Sequence, residues 1–119
     1  MRNSPVVRAA LVTAFIALSL AVLPASAHPS IDIVASNWKF TPSAIELHVG
    51  QATTLRLTST EGVHGLQSSD LGIPQTAITP GSWKTVSVTP SKAGTYVLHC
   101  TIVCGAGHAN MTLTVHVVP

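Results

Sequence analysis

Short stretches in which apolar and polar residues alternate dominate the chain after residue 30. Such alternation predicts β-strands that have one buried and one exposed face, and valine, threonine, isoleucine and leucine fill most of these positions. Glycine and proline separate the stretches, and no window shows a helical period. The predicted strands are 31–36, 44–49, 53–58, 85–89, 95–100 and 111–118. Residues 71–80 contain two prolines and are predicted to form a loop.

Six or seven short strands at this spacing predict an all-β sandwich. The length of 119 residues is enough for one ordinary domain. We therefore expect a single-domain β-sandwich without a second folding unit.

The first residues have a different pattern, which is typical of an export signal. Arg2 and Arg8 precede the apolar run 9–23, and Ala25-Ser26-Ala27 follows as an A-x-A cleavage motif. The run is shorter than the roughly 20 residues of a spanning helix. We expect residues 1–27 to be a signal peptide and 28–119 to be the exported, periplasmic domain without a membrane span. An uncleaved N-terminal anchor is the alternative.

The charge of the expected domain argues against a nucleic-acid partner. Four basic side chains balance four acidic ones in residues 28–119, and no basic patch is present. These residues are Lys39, Arg56, Lys84 and Lys92, against Asp32, Glu46, Glu61 and Asp70.

The segment 100–111 concentrates residues that bind soft metal ions. Cys100, Cys104, His108 and Met111 lie within it, and their thiol, imidazole and thioether groups favour copper over calcium, magnesium or manganese. A mononuclear blue-copper site uses one cysteine and two histidines, whereas two thiolates can bridge two metal ions. Each ion then needs an imidazole, and His64 is the candidate for the second one.

Other roles for these residues remain open at this stage. The two cysteines could form a disulfide, although a loop this short removes little entropy from the unfolded chain. A Cys2His2 zinc site is possible, and Met111 could simply pack in the core. His48, His99 and His116 lie in predicted strands and are expected to be ordinary strand residues. His28 would become the N-terminal residue after cleavage, where its amine and imidazole could chelate copper.

The spacing of these residues resembles a known family. An upstream His followed by C-x3-C-x3-H-x2-M is the pattern of the copper A (CuA) domain of cytochrome c oxidase subunit II and nitrous oxide reductase. Further similar segments cover nearly all of residues 28–119. They are Trp38-Lys39-Phe40-Thr41-Pro42, Glu61-Gly62-Val63-His64, Leu71-Gly72-Ile73, Pro80-Gly81, Gly94-Thr95-Tyr96 and Cys104-Gly105-Ala106-Gly107-His108. The resemblance implies a cupredoxin-like Greek-key β-sandwich.

The resemblance also implies a role for each ligand. Cys100 and Cys104 would bridge two copper ions, and His64 and His108 would each bind one of them. Met111 and the backbone carbonyl of Ile102 would be weak ligands, one for each copper.

Two departures from the family concern partners. Oxidase subunit II commonly has a magnesium-binding glutamate where this chain has Ile102, and an acidic residue near the position of Thr76 is also missing. The subunit has a transmembrane hairpin before its copper domain, which is not found here. The resemblance therefore implies a free-standing relative, with a redox partner such as a c-type cytochrome or a terminal oxidase or reductase.

Electron transfer is the function that we expect from this sequence. Neither a general base nor an activated serine is evident, so the chain is not expected to be an enzyme by itself. Copper storage or delivery to an oxidase is the alternative. The sequence does not decide between these two functions or between one and two bound copper ions.

Overall fold

Nine β-strands make up the fold in this computed structural model, which describes residues 3, 5, 9–20 and 28–119. The strands are β1 (Ser30–Ser36), β2 (Lys39–Thr41), β3 (Ala44–His48), β4 (Thr53–Ser59), β5 (His64–Ser68), β6 (Ile73–Ile78), β7 (Lys84–Val88), β8 (Gly94–His99) and β9 (Thr112–Val118). A short 3-10 helix, His108–Asn110, lies between β8 and β9. The prediction of an all-β fold is confirmed.

The strands form three sheets. The largest has the order β2-β1-β4-β7, the second β3-β9-β8, and the smallest is the hairpin β5-β6. Two pairs of strands, β1 with β4 and β3 with β9, run parallel, and the other pairs are antiparallel. Parallel neighbours that are not consecutive in sequence need crossovers between sheets, as in a Greek-key sandwich.

The core lies between the four-stranded and three-stranded sheets. Alternate residues of β4 are buried, and the same period occurs in β3 and β9, because successive side chains of a strand point to opposite faces. The larger buried side chains of the core include Ile33, Phe40, Leu47, Leu55, Leu57, Leu113 and Val115. Burying such side chains contributes about 1.5–3 kcal/mol each relative to leaving them exposed.

The hairpin β5-β6 corrects one prediction. Residues 71–80 were expected to form a loop, but Ile73–Ile78 is a strand that pairs with His64–Ser68. Leu66, Ile73 and Ile78 are buried, so the hairpin closes one side of the core. It also places His64 at the end of the sandwich where β8 stops and β9 starts.

Part of the predicted export signal lies outside the described residues. Arg2, Arg8 and residues 21–27, including the proposed cleavage motif, are among the residues that the structure does not describe. Residues 9–20 are exposed and have no regular secondary structure. Within the described ranges, no helix is both long enough and apolar enough to cross a membrane.

Candidate metal centre

The structure brings together the five side chains predicted to bind metal at one end of the sandwich. Cys100 follows the last residue of β8 and Met111 precedes β9. The backbone N–H of Cys100 donates to the carbonyl of Met111 at 3.0 Å, which closes the base of the loop between them. His64 is the first residue of β5. Strand ends therefore fix three of the five positions.

The two cysteine sulphurs lie at the centre of the site, 3.7 Å apart. This separation is well beyond the roughly 2.05 Å of a disulfide bond, and both cysteines are free in the structure. Cys100 is buried, whereas Cys104 is half-buried. The pair can therefore present two sulphur ligands, one on the core side and one near the surface.

Each cysteine has its own histidine. Nδ1 of His64 is 3.9 Å from Sγ of Cys100, and Nδ1 of His108 is 3.6 Å from Sγ of Cys104. His64, Cys100 and Cys104 offer ligand atoms that all lie within 4.8 Å of one another. His108 is outside that group and approaches the sulphur pair from the Cys104 side.

The weaker donors are divided between the cysteines in the same way. The thiol of Cys100 donates to the carbonyl oxygen of Ile102 at 3.2 Å, and Sδ of Met111 is 3.9 Å from Sγ of Cys104. Met111 is fully buried. Each sulphur atom therefore has one imidazole and one weak donor beside it.

The turn that precedes β5 orients His64. Nε2 of His64 lies 2.6 Å from the carbonyl oxygen of Glu61, so this nitrogen carries the proton and Nδ1 is left as the ligand atom. The hydroxyl of Ser59 donates to the carbonyls of Glu61 and Gly62. Gly62 has a φ of 71°, a conformation that strongly favours glycine. The residues just before His64 therefore hold its ring in place.

Trp38 supports the ligand loop from the side. Its Nε1 donates to the carbonyl oxygen of Cys104 at 3.1 Å, and its ring lies against Gly105 and Gly107. A Cβ at Gly107 would lie 2.5 Å from the ring of Trp38. Glycine at these two positions therefore makes room for the indole.

Gly65 has the same role on the other side of the loop. A Cβ at this position would lie 2.5 Å from Oγ1 of Thr101 and 2.8 Å from Cγ1 of Ile102. Sequence reasoning did not identify this contact, because residues 65 and 102 are far apart in the chain. The Ile102 side chain is half-buried in this position, whereas the neighbouring Val103 is 83% exposed.

The surroundings of Cys104 disfavour its thiolate form in the absence of a metal ion. Burial raises the pKa of the Cys104 thiol above its ordinary value, and the adjacent Cys100 raises it further. Metal binding would have to displace the proton of this thiol, because cysteine binds a metal as the thiolate. Two thiolates, two imidazoles and a thioether form a donor set that suits copper.

The comparison with known families agrees with this donor set. The family model of the cupredoxin-like domain matches residues 7–115. The chain belongs to the cupredoxin-like domain family. This confirms the predicted fold and, together with the cysteine and histidine cluster, implies copper as the metal of this cupredoxin.

Subunit 2 of cytochrome c oxidase is a relative of this cupredoxin. Two such proteins of Thermus thermophilus are 30% identical over 86 residues, which is 72% of this chain. The matched region covers 63% of one relative and 51% of the other. The predicted resemblance to oxidase subunit II is confirmed, but this chain spans only part of those proteins.

Solved structures share the fold. The periplasmic domain of oxidase subunit II of Bradyrhizobium japonicum superposes with a TM-score of 0.70 at 16% identity, covering 81% of this chain and 88% of that domain. Reduced auracyanin of Roseiflexus castenholzii has a TM-score of 0.57 at 21% identity, covering 78% and 99%. Auracyanin A of Chloroflexus aurantiacus, a blue copper protein, has the same fold, with a TM-score of 0.58 at 16% identity, covering 77% of this chain and 100% of that one.

Proposed function

We propose that this cupredoxin transfers electrons through a centre of two copper ions. The observation that carries the proposal is the pairing of each cysteine with a different histidine, at 3.9 Å and 3.6 Å. A single blue copper ion would need both imidazoles beside one thiolate. Here each sulphur atom has its own nearest imidazole and its own weak donor. The homology to oxidase subunit 2 supports the same assignment.

Copper bound at this site would supply the redox chemistry, and the protein would hold its ligands still. His64 is fully buried, Cys100 is 4% exposed and Met111 is fully buried. Strand ends, the Glu61 carbonyl and the Trp38 indole restrain the donors further. A site that is rigid in this way changes little between oxidation states, which favours rapid electron exchange.

The surface around the loop suits a transient redox partner. Apolar side chains with no charge of their own form what we term the apolar rim: Trp38, Val63, Val103, Ala106 and Ala109. Val103 is the most exposed of the larger ones. Such a patch suits brief contact with another protein. We propose that the partner is a c-type cytochrome or a terminal oxidase or reductase, and that the two proteins associate in the periplasm.

Metal content and electron paramagnetic resonance test the dinuclear proposal directly. Fully loaded protein is expected to contain two copper ions per chain and to give the spectrum of one electron shared by two coppers. Cys100→Ser is expected to abolish that spectrum. One copper per chain with an ordinary mononuclear spectrum would contradict the proposal.

Copper delivery is the second candidate, and one feature of the site favours it. Cys104 and His108 are both half-buried, so a partner protein could approach these ligands. One solved structure with the same fold is the mixed-disulfide intermediate between a thioredoxin-like protein and oxidase subunit II. Delivery predicts that a copper chelator removes the metal within minutes, whereas an electron-transfer centre is expected to keep it while it exchanges electrons with a cytochrome.

A further inference from the structure

The outer face of the three-stranded sheet carries a second group of metal-binding side chains. Glu46 and His48 are both exposed on β3. They are two residues apart, so they point to the same side of the sheet. His116 is exposed on the neighbouring strand β9 and lies directly opposite Glu46 in the register. The sequence suggested ordinary strand residues here, and only the strand pairing shows that the three are neighbours.

Glu46 contacts one of these histidines directly and faces the other across the strand pair. Nε2 of His48 is 3.7 Å from Oε1 of Glu46. Adjacent strands are about 4.8 Å apart, and residues two apart in a strand are separated by about 6.6 Å. Glu46 therefore contacts His48 and lies opposite His116 in the register. The exposed side chains would have to rotate to bring all three donors to one ion.

Thr95 prepares His116 for this role. Its Oγ1 lies 3.3 Å from Nδ1 of His116, and Thr95 is on β8, on the opposite side of β9 from β3. Nδ1 and Nε2 point in nearly opposite directions on an imidazole ring. When Nδ1 carries the proton and donates to the hydroxyl of Thr95, Nε2 is the nitrogen available to a metal, directed away from Thr95. A hydrogen bond donated by the other ring nitrogen commonly orients a histidine ligand.

We propose that Glu46, His48 and His116 bind a divalent transition-metal ion, Zn²⁺ or Cu²⁺, at a site separate from the thiol centre. Two imidazoles and one carboxylate suit both ions. Three protein ligands on an open sheet leave at least one position for water. The buried residues Leu47, Val115 and Val117 point to the other face of the same strands, so this site and the thiol centre do not share ligands.

Without a metal, the Glu46–His48 contact is an exposed pair. The two side chains are 63% and 50% exposed respectively, and an ion pair of this kind contributes little to stability. His116 does not contact either of them as an ion pair. A dependence of metal binding on His116 therefore distinguishes a metal site from a simple surface pair.

The test is calorimetric titration of Zn²⁺ into copper-loaded protein without a histidine tag. We expect one Zn²⁺ per chain, with affinity lowered about tenfold or more in His48→Ala, Glu46→Gln and His116→Ala, since losing a ligand costs at least as much as losing an outer partner. His99→Ala is the matched control, because His99 is exposed on the same sheet but opposite Thr112. Its affinity is expected to equal that of the wild type.

The visible spectrum of the copper centre is recorded during the same titration and is expected to stay constant. Titration with Cu²⁺ in place of Zn²⁺ should add an electron paramagnetic resonance signal of a copper ion bound by nitrogen and oxygen. This signal should be absent from His116→Ala. The proposal is overturned if Zn²⁺ does not saturate near one equivalent, or if His116→Ala binds as tightly as the wild type. Displacement of copper by Zn²⁺, or loss of binding in His28→Ala instead, would also overturn it.

Discussion

At the scale of single residues, the two cysteines have different surroundings although both are sulphur donors. Cys100 is buried at the end of β8 and donates to the Ile102 carbonyl. Cys104 is half-buried between His108 and Met111. The same substitution is therefore expected to have different effects on metal binding at Cys100 and at Cys104.

Replacement of Cys104 by serine is expected to leave one copper ion per chain. Cys100 and His64 remain on the core side, but a hydroxyl cannot replace the second thiolate. Metal analysis should fall from two coppers to one, and the resonance spectrum should become mononuclear. Retention of two coppers in Cys104→Ser would show that this sulphur does not bridge.

Val103 is the residue with which to test the docking surface. It is 83% exposed beside Cys104, so Val103→Glu is expected to leave copper content unchanged. A charge in the contact should slow electron exchange with the partner, roughly tenfold. Stopped-flow exchange measures this effect. Val97→Glu is the control, since Val97 is also exposed but belongs to β8, away from the apolar rim.

Ile102→Glu is expected to behave differently from Val103→Glu. The Ile102 side chain packs over Gly65, so a glutamate there disturbs the loop as well as adding a charge. We expect Ile102→Glu to retain copper, because the backbone carbonyl stays in place, but to bind it more weakly than Val103→Glu. If the two variants bound copper equally tightly and exchanged electrons at the same reduced rate, the packing of Ile102 would not contribute to copper binding.

At the scale of elements, the strands that alternate strictly could be predicted from the sequence, and the hairpin β5-β6 could not. The first three residues of β5 are all buried, which removes the alternation, and Gly65 and Pro74 are poor strand residues. The proximity of Cys100, Cys104, His108 and Met111 could also be predicted, because these residues are close in sequence. The support from Trp38 could not, since its partner Cys104 is 66 residues away and the contact depends on how the sheets pack.

The packing of Trp38 against the ligand loop predicts a specific rescue. Gly107 does not have a positive φ, so alanine there is not strained by the backbone, but its Cβ would lie 2.5 Å from the indole. Gly107→Ala is expected to lower the free energy of unfolding by about 1–3 kcal/mol and to weaken copper binding. In a Trp38→Ala background the additional cost of Gly107→Ala should largely vanish. Thermal unfolding of the four proteins in the cycle measures this coupling, and purely additive losses would contradict it.

At the scale of the whole molecule, we predict that the protein is exported and cleaved after Ala27. The charged start, the apolar run and the Ala25-Ser26-Ala27 motif support this prediction. Intact mass of the protein recovered from the exporting host is expected to match residues 28–119. Recovery of a species that retains residues 1–27 would rule out cleavage. Ala27→Arg, which removes the small residue of the motif, should block processing.

The position of the ligands has a consequence for how the domain holds together. His64 belongs to the β5-β6 hairpin, whereas the other four ligand side chains belong to the segment between β8 and β9. Near the site, a backbone hydrogen bond from Thr101 to the Gly65 carbonyl joins these two parts. Metal bound by the proposed ligands would therefore cross-link the hairpin to the three-stranded sheet. Without it, amide hydrogens of β5 and β6 should exchange with solvent faster, while those between β1 and β4 should keep their protection.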